Sequence, residues 1–252
     1  NKSGFWIGKF EATGTKETPT VKAGENMLLS MTINEQYKVG KNATFGETQN
    51  LNSHMAKNSE WGATVYLAHS KYGTNGLKVE NQGGSYIAGG SSTASTIYTT
   101  NKKVTTTHNA YGVYGMNGGA WERTANYVNY GDSSSNLSTY GGTQSGDLYG
   151  TEEERNTSTA YKTVYPAEET NGEASYNNIA KHIKGDAVYE TSNSHSNSTG
   201  SWFDAYASFP YTGAPFFVRS GGPGYGYADT FYFIGTDGIA YGNDSFRMVL
   251  VP

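Results

Sequence analysis

The absence of cysteine from 252 residues removes disulfides, thiolate metal sites and a cysteine nucleophile together. The five histidines are His54, His69, His108, His182 and His195. None has the H-x-x-x-H or H-E-x-x-H spacing that would set two imidazoles on one helical face, so each reads as a hydrogen-bonded or exposed side chain. No G-x-S-x-G elbow is present to expose a serine nucleophile. Gly221-Gly222-Pro223-Gly224 is glycine-rich but opens no helix, so it is a poor phosphate cradle. Glu60 and Glu122 are carboxylates of the type a glycosidase would pair. Asp229, Asp237, Asn243 and Asp244 are oxygen donors at no recognisable metal spacing, and no lectin-type tripeptide with Pro between two acidic or amide residues occurs. No catalytic residue, cofactor or metal is expected on these grounds.

Contact chemistry is better represented. Residues 221–244 consist largely of Gly, Tyr, Asp, Thr and Asn and hold no Lys or Arg. Tyr supplies large contact area at low entropic cost, and small polar residues supply adaptable hydrogen bonds. Alternation sends Phe231, Phe233, Ile239 and Phe246 inward and their neighbours outward, and Asp237-Gly238 is a hairpin signal joining TFYFIGT to IAYGN. The predicted contact surface, within residues 220–245, is Tyr225, Tyr227, Asp229, Thr230, Tyr232, Asp237, Tyr241 and Asn243. The bland alternative is that these are solvated loop residues with Tyr used as an ordinary β-former. Trp202 and Phe203 are read first as core and second as a wall of the site.

Several elements must hold that surface. Apolar runs at residues 216–219 and 245–251 read as buried strands. Residues 4–14, GFWIGKFEATG, alternate and predict a strand ending near Thr13, with Pro19 marking a turn. Thr32-Ile33-Asn34-Glu35 has capping-box spacing and predicts a short helix to about Lys41. Within residues 55–73, Asn58 is a candidate N-cap, Trp61, Val65 and Ala68 with Leu67 share a face, and Gly73 is placed to end the helix. Residues 74–110 read as loops with one short strand near 85–87 or 95–99. Val113, Met116 and Trp121 read as buried, Gly118-Gly119 as a bend, and Trp121 as the start of a strand. Residues 132–149 look like a low-apolar excursion, and Tyr176, Ile179, Ala180 and Ile183 have helical spacing within 175–184. Residues 202–209 are aromatic enough for core, and no repeat or linker divides residues 1–252, so one domain is expected.

Charged residues make up 16% of the chain and the net charge is -4, without the clustered basic face a nucleic-acid partner needs. No apolar run approaches a membrane span. The chain opens at Asn1 without Met, which reads as a trimmed sequence whose signal or anchor lies outside it. With 33 Gly, 21 Tyr and abundant Ser, Thr and Asn, the composition is that of a surface-exposed, extracellular protein. The N-x-S/T triplets at Asn42, Asn136, Asn156, Asn197 and Asn243 are what chance delivers in such a chain.

Five blocks in order, GFWIGKFEAT, NSEWGATVYLA, YGVYGMNGGAWE, FFVRSGG and SFRMVLVP, cover almost the whole chain and resemble formylglycine-generating-enzyme-like domains, a variant of the C-type lectin fold. The most specific block carries Gly112, Tyr114, Met116, Gly118, Trp121 and Glu122. The blocks are also similar to bacterial and phage surface proteins of that fold, including pseudopilin-like proteins and retroelement-diversified variable proteins, in which the segment between R-x-G-G and S-F-R displays the ligand-binding residues. The resemblance implies an α+β fold with small twisted antiparallel sheets, two main helices, long irregular loops, and paired N- and C-terminal strands. It implies a structural role for Glu60 and Glu122. Catalytic members need two cysteines for copper or a histidine cluster for iron, which this chain does not offer. The expected function is therefore non-catalytic ligand binding or adhesion to a protein or glycan receptor, on a bacterial surface or phage particle. The alternatives are a structural subunit of a pilus-like or phage assembly and a formylglycine-generating-type oxidoreductase.

Overall fold

The computed structural model describes residues 4–47, 52–90, 97–167, 183–192, 198–199, 201–222 and 228–251. The two chain ends meet in one sheet. Strand β1 (Trp6–Ile7) is followed by the small β2 (Thr13–Gly14) and β3 (Pro19–Thr20) ribbon, helix α1 (Ile33–Asn42), and strand β4 (Ser53–Met55). Helix α2 (Asn58–His69), a helical turn α3 (Ile97–Thr100), the long strand β5 (Trp121–Asn129), helix α4 (Ser135–Gly141) and strand β6 (Thr163–Pro166) come next. The chain closes with β7 (Ser198–Thr199), β8 (Tyr206–Ala207), β9 (Phe216–Arg219), β10 (Phe233–Thr236), β11 (Asp244–Phe246) and β12 (Met248–Leu250). β12 lies between β1 and β4, antiparallel to both, with Trp6 opposite Leu250 and Met55 opposite Met248. The expected pairing of terminal strands is present, although β1 is two residues long and does not run to Thr13.

The second sheet runs β11-β5-β9-β10-β8-β7, with β6 also along β5. It is mixed, not antiparallel: β5 pairs in parallel with β11 and β6, and β10 with β8. The class is α+β. β5 is the axis, covered on both faces, with a register shift against β9 between Thr124 and Tyr127. Met31, Ile33, Tyr37, Met55, Tyr127, Phe216, Phe217, Phe233 and Phe246 belong to one apolar cluster between this sheet and α1.

α1 starts where its capping box directs. The Glu35 amide donates to Thr32 Oγ1 at 3.3 Å and the Thr32 amide donates back to Glu35 Oε2 at 2.7 Å. α2 buries Trp61, Val65 and Ala68 at helical spacing, but Leu67 lies outside that face and is 58% exposed. Asn58 is not its cap. Lys57 occupies that position, and the Asn58 side chain instead accepts from Thr124 Oγ1 at 3.1 Å and donates to Tyr165 Oη at 3.2 Å, tying the helix to β5 and β6. The helix ends at His69, before Gly73, because Ser70 turns its hydroxyl back onto the Leu67 carbonyl at 2.7 Å. The one short strand expected near 85–87 or 95–99 is not formed among the described residues: Ile87 makes a single bridge to Asn26, and residues 97–100 are helical, while 95 and 96 lie outside the described residues. The low-apolar excursion at residues 132–149 is anchored by its few apolar side chains, with Leu137, Leu148 and Tyr149 buried. Met116 is buried, whereas Val113 and Trp121 are partly exposed. The helix predicted over 175–184 falls almost entirely outside the described residues.

Candidate functional site

Polar residues along β5 decide what is structure and what is available. Glu122 is fully buried and receives the Arg247 guanidinium, with Nε at 3.0 Å. Arg247 also donates to the carbonyls of Gly8 and Tyr114, each at 2.7 Å, so one side chain joins the first strand, the last strand and β5. Glu11, also buried, faces the same guanidinium. Burial pushes its carboxyl up to about 8 and the Glu122 charge pushes the same way, against the pull of Arg247. Burial raises the Glu122 carboxyl as well, but the Arg247 hydrogen bonds fall on Glu122 and favour its charged form, so the proton of the pair is favoured on Glu11. Glu60 accepts from His54 Nε2 at 2.8 Å and from the Lys57 amide at 2.9 Å. Glu60 and Glu122 are thus separate structural anchors.

One residue along, Arg123 is also fully buried. It pairs with Asp244 at 2.7 Å and donates to the Met31 carbonyl at 2.9 Å and to the Ile239 carbonyl. These contacts place the segment that the sequence reads as a hairpin arm. Asp237-Gly238 does not close a hairpin. Gly238 sits at φ 91° with a Cβ position only 2.9 Å from the Phe216 ring and 3.0 Å from Ile33, so the turn is pressed into the core. Its carbonyl accepts the Ile33 amide at 3.1 Å, and the Tyr241 carbonyl accepts the Ser30 amide at 3.0 Å. The backbone of 238–241 therefore pairs with the start of α1, and β11 then pairs in parallel with the first residues of β5.

What opens beside this segment is a cleft of about 330 Å³. Trp121, Tyr211 and Tyr241 supply its aromatic walls, and Asp237, Asn243 and Asp244 its acceptors. Gly213, Ala214, Gly235 and Thr236 line the remainder, where short side chains leave the space open. Tyr211 is 50% and Tyr241 42% exposed. The Trp121 indole reaches its place across Gly222, where a Cβ would come within 1.4 Å of the indole nitrogen. Tyr241 donates its hydroxyl to Asp237 Oδ2 at 2.9 Å, and that bond raises the phenol pKa. Asp237 Oδ1 accepts the Ile239 amide at 3.1 Å. Burial raises the Asp244 carboxyl against the opposing pull of Arg123.

Of the eight predicted contact residues, the structure brings Asp237, Tyr241 and Asn243 together in this cleft. Three others are interior. Asp229 is fully buried and ion-paired to Lys78 at 3.3 Å. Thr230 is fully buried, its hydroxyl bonded to Asp229 at 2.9 Å and its carbonyl accepting Trp61 Nε1 at 2.8 Å. Tyr232 is 1% exposed, with its ring over Tyr206 at 5.9 Å. The reason is local: the Tyr232 amide bonds to the Asp229 carbonyl at 3.0 Å, closing a turn, so strand alternation does not apply and Phe231, Tyr232 and Phe233 are all buried. Tyr225 and Tyr227 lie outside the described residues. Trp202 and Phe203 do not line the cleft. Trp202 packs on Phe231 at 5.5 Å while 46% exposed, and Phe203 stacks on His69 at 4.1 Å. Sequence reasoning missed Tyr211 and the cleft-facing side of Trp121, which come from distant parts of the chain. The sequence reads Trp121 as a buried residue opening a strand, and β5 does begin there, but nothing local marks its open side, and Tyr211 carries no signal.

A second opening, an apolar groove of about 430 Å³, is lined by Phe5, Ile7, Leu67, Tyr72, Tyr111 and Val113 among others. Of the described histidines, His54 bonds Glu60, and His69 is held to about 4 by burial, with a smaller push from His108, while its Nε2 meets Thr230 Oγ1 at 3.0 Å. His108 meets the Lys78 carbonyl at 3.2 Å, and His182 and His195 lie outside the described residues. Among the described residues no three His, Asp or Glu side chains group to hold a metal ion, and no helix is long and apolar enough to cross a membrane. No protein-family model matches the chain, and no curated protein does.

Proposed function

We propose that this chain is a non-catalytic ligand-binding or adhesion protein with a C-type lectin-like fold of the formylglycine-generating-enzyme type. It acts outside the cell, on a bacterial surface or phage particle, and contacts a protein or glycan receptor through the cleft beside Tyr241. The observation that carries this reading is the cleft itself. Half-exposed Tyr211 and Tyr241 stand with Trp121 around carboxylate and amide acceptors, on backbone held by buried Arg123 and by the sheet. Rigid aromatics beside adaptable polar groups are what a recognition surface needs. The five ordered blocks support the fold, and the terminal strand pairing is consistent with it. The C-terminal segment of such proteins is also where retroelement diversification acts, which a set of sibling sequences differing mainly at cleft positions would support.

The test is the double variant Tyr211→Ser with Tyr241→Ser, assayed on intact target cells and on a glycan and protein array. The expected result is loss of binding at unchanged melting temperature. Full retention of binding contradicts the assignment, as does turnover of any substrate that depends on added copper or iron. A second reading, a structural subunit that packs against its own copies, draws on the exposed Leu67, Tyr72 and Tyr111 of the apolar groove. Strong self-association in a light-scattering concentration series favours it over the first.

A further inference from the structure

We propose that the occupant of the cleft is a cationic group, an organic ammonium or guanidinium, held between the aromatic walls and the Asp237 carboxylate. The proposal rests on the binding reading above and names the ligand chemistry of that same site.

The argument begins with charge. No Lys, Arg or His is among the described residues lining the cleft, whereas Asp237 and Asp244 are. Arg123, the cation behind the lining, is fully buried and committed to Asp244 at 2.7 Å and to two carbonyls. One guanidinium against two carboxylates leaves one negative charge. The second carboxylate is Asp237, which Arg123 attracts through space but does not hydrogen-bond; among the described residues its oxygens accept only from the neutral Ile239 amide and the neutral Tyr241 hydroxyl. A ligand that covers Asp237 removes it from water, and a carboxylate desolvated without a counter-charge is costly. A cation supplies the counter-charge, and a neutral sugar does not.

The walls favour the same class. The faces of Trp and Tyr rings attract cations electrostatically, most strongly once water is excluded. The Arg123 guanidinium lies 5.9 Å from the Tyr241 centroid, and its charge is offset by Asp244 at 2.7 Å. The cleft volume of about 330 Å³ accommodates a side-chain or sugar amine with its first carbons. A lysine or arginine of a protein receptor and an amino sugar of a glycan share this chemistry.

Isothermal titration of the full chain with paired probes tests it. The pairs are N-acetyl-lysine amide against N-acetyl-norleucine amide, and glucosamine against N-acetylglucosamine, with N-acetyl-arginine amide as a third cation. The expected result is millimolar binding of the cations, weaker or no binding of the neutral partners, and a loss of about tenfold in Asp237→Asn, which keeps the acceptor for the Ile239 amide. Glu17→Gln, a carboxylate away from the cleft, leaves the affinity unchanged. The stronger cation family identifies the source, protein or glycan. Equal binding of charged and neutral partners, or an unchanged affinity in Asp237→Asn, overturns the proposal. So does the absence of binding by every cation. If the cations fail while the Tyr211/Tyr241 variant still abolishes target binding, the cation falls and the binding reading stands. If the cations bind as expected while that variant keeps its target, the reverse holds.

Discussion

The knot around Arg247 and the cleft around Asp237 each hold two carboxylates and end in opposite conditions. In the knot, Glu122, Arg247 and Glu11 are all sealed from water, and the charges face one another inside the fold. In the cleft, Asp237 and Tyr241 remain open on one side, and the hydrogen bonds that Asp237 accepts come from neutral groups. Carboxylate, aromatic and cation therefore serve structure where the fold supplies both halves of an interaction. They are free for a ligand where it supplies one.

The largest effect should come from breaking the knot. Arg247→Met leaves the buried Glu122 without its counter-charge, and we expect a loss of about 3–5 kcal/mol in denaturant unfolding, or failure to fold. A loss below about 1 kcal/mol would mean that the knot is not the clamp described here. Next comes the contrast of two tyrosines from one segment. Tyr232→Ala empties a fully enclosed site and should cost about 3–5 kcal/mol, whereas Tyr241→Ala should cost less than about 1 kcal/mol. Equal costs would erase the distinction between interior and surface.

Proton linkage gives a smaller effect with a definite sign. Burial raises Glu11 to about 8 and Asp186 to about 6, so both bind protons in the native state that the unfolded chain releases near the ordinary carboxyl range. The native state holds more protons across that interval, so this contribution to stability is complete below the unfolded carboxyl pKa and is lost as pH rises toward about 8. Glu11→Gln should flatten the decline measured by melting temperature against pH. An unchanged profile would place the proton elsewhere. The smallest effect on stability belongs to Asp237→Asn, expected within about 0.5 kcal/mol, which is what makes it useful as a binding probe.

The legible parts of this fold were those set by short-range rules. The Thr32 and Glu35 pair announced α1, the Trp61, Val65 and Ala68 spacing announced the buried face of α2, and the terminal runs announced strands that meet. The cleft was half legible. Asp237, Tyr241 and Asn243 carried the composition of a contact surface, but alternation failed at Phe231-Tyr232-Phe233, where a turn puts three aromatics inside. The Asp237-Gly238 pair looked like a hairpin because that dipeptide favours one locally. The decisive partners, Arg123 and the start of α1, sit about a hundred residues away or more, and no local pattern reports them. Tyr211 stayed invisible for the same reason.

Amide chemical-shift mapping of the full chain during titration with its target, or with N-acetyl-lysine amide, tests the central claim most directly. The account predicts that the shifts centre on Trp121, Tyr211 and residues 237–244. Shifts confined to the groove of Leu67, Tyr72 and Tyr111, with the cleft silent, would contradict it.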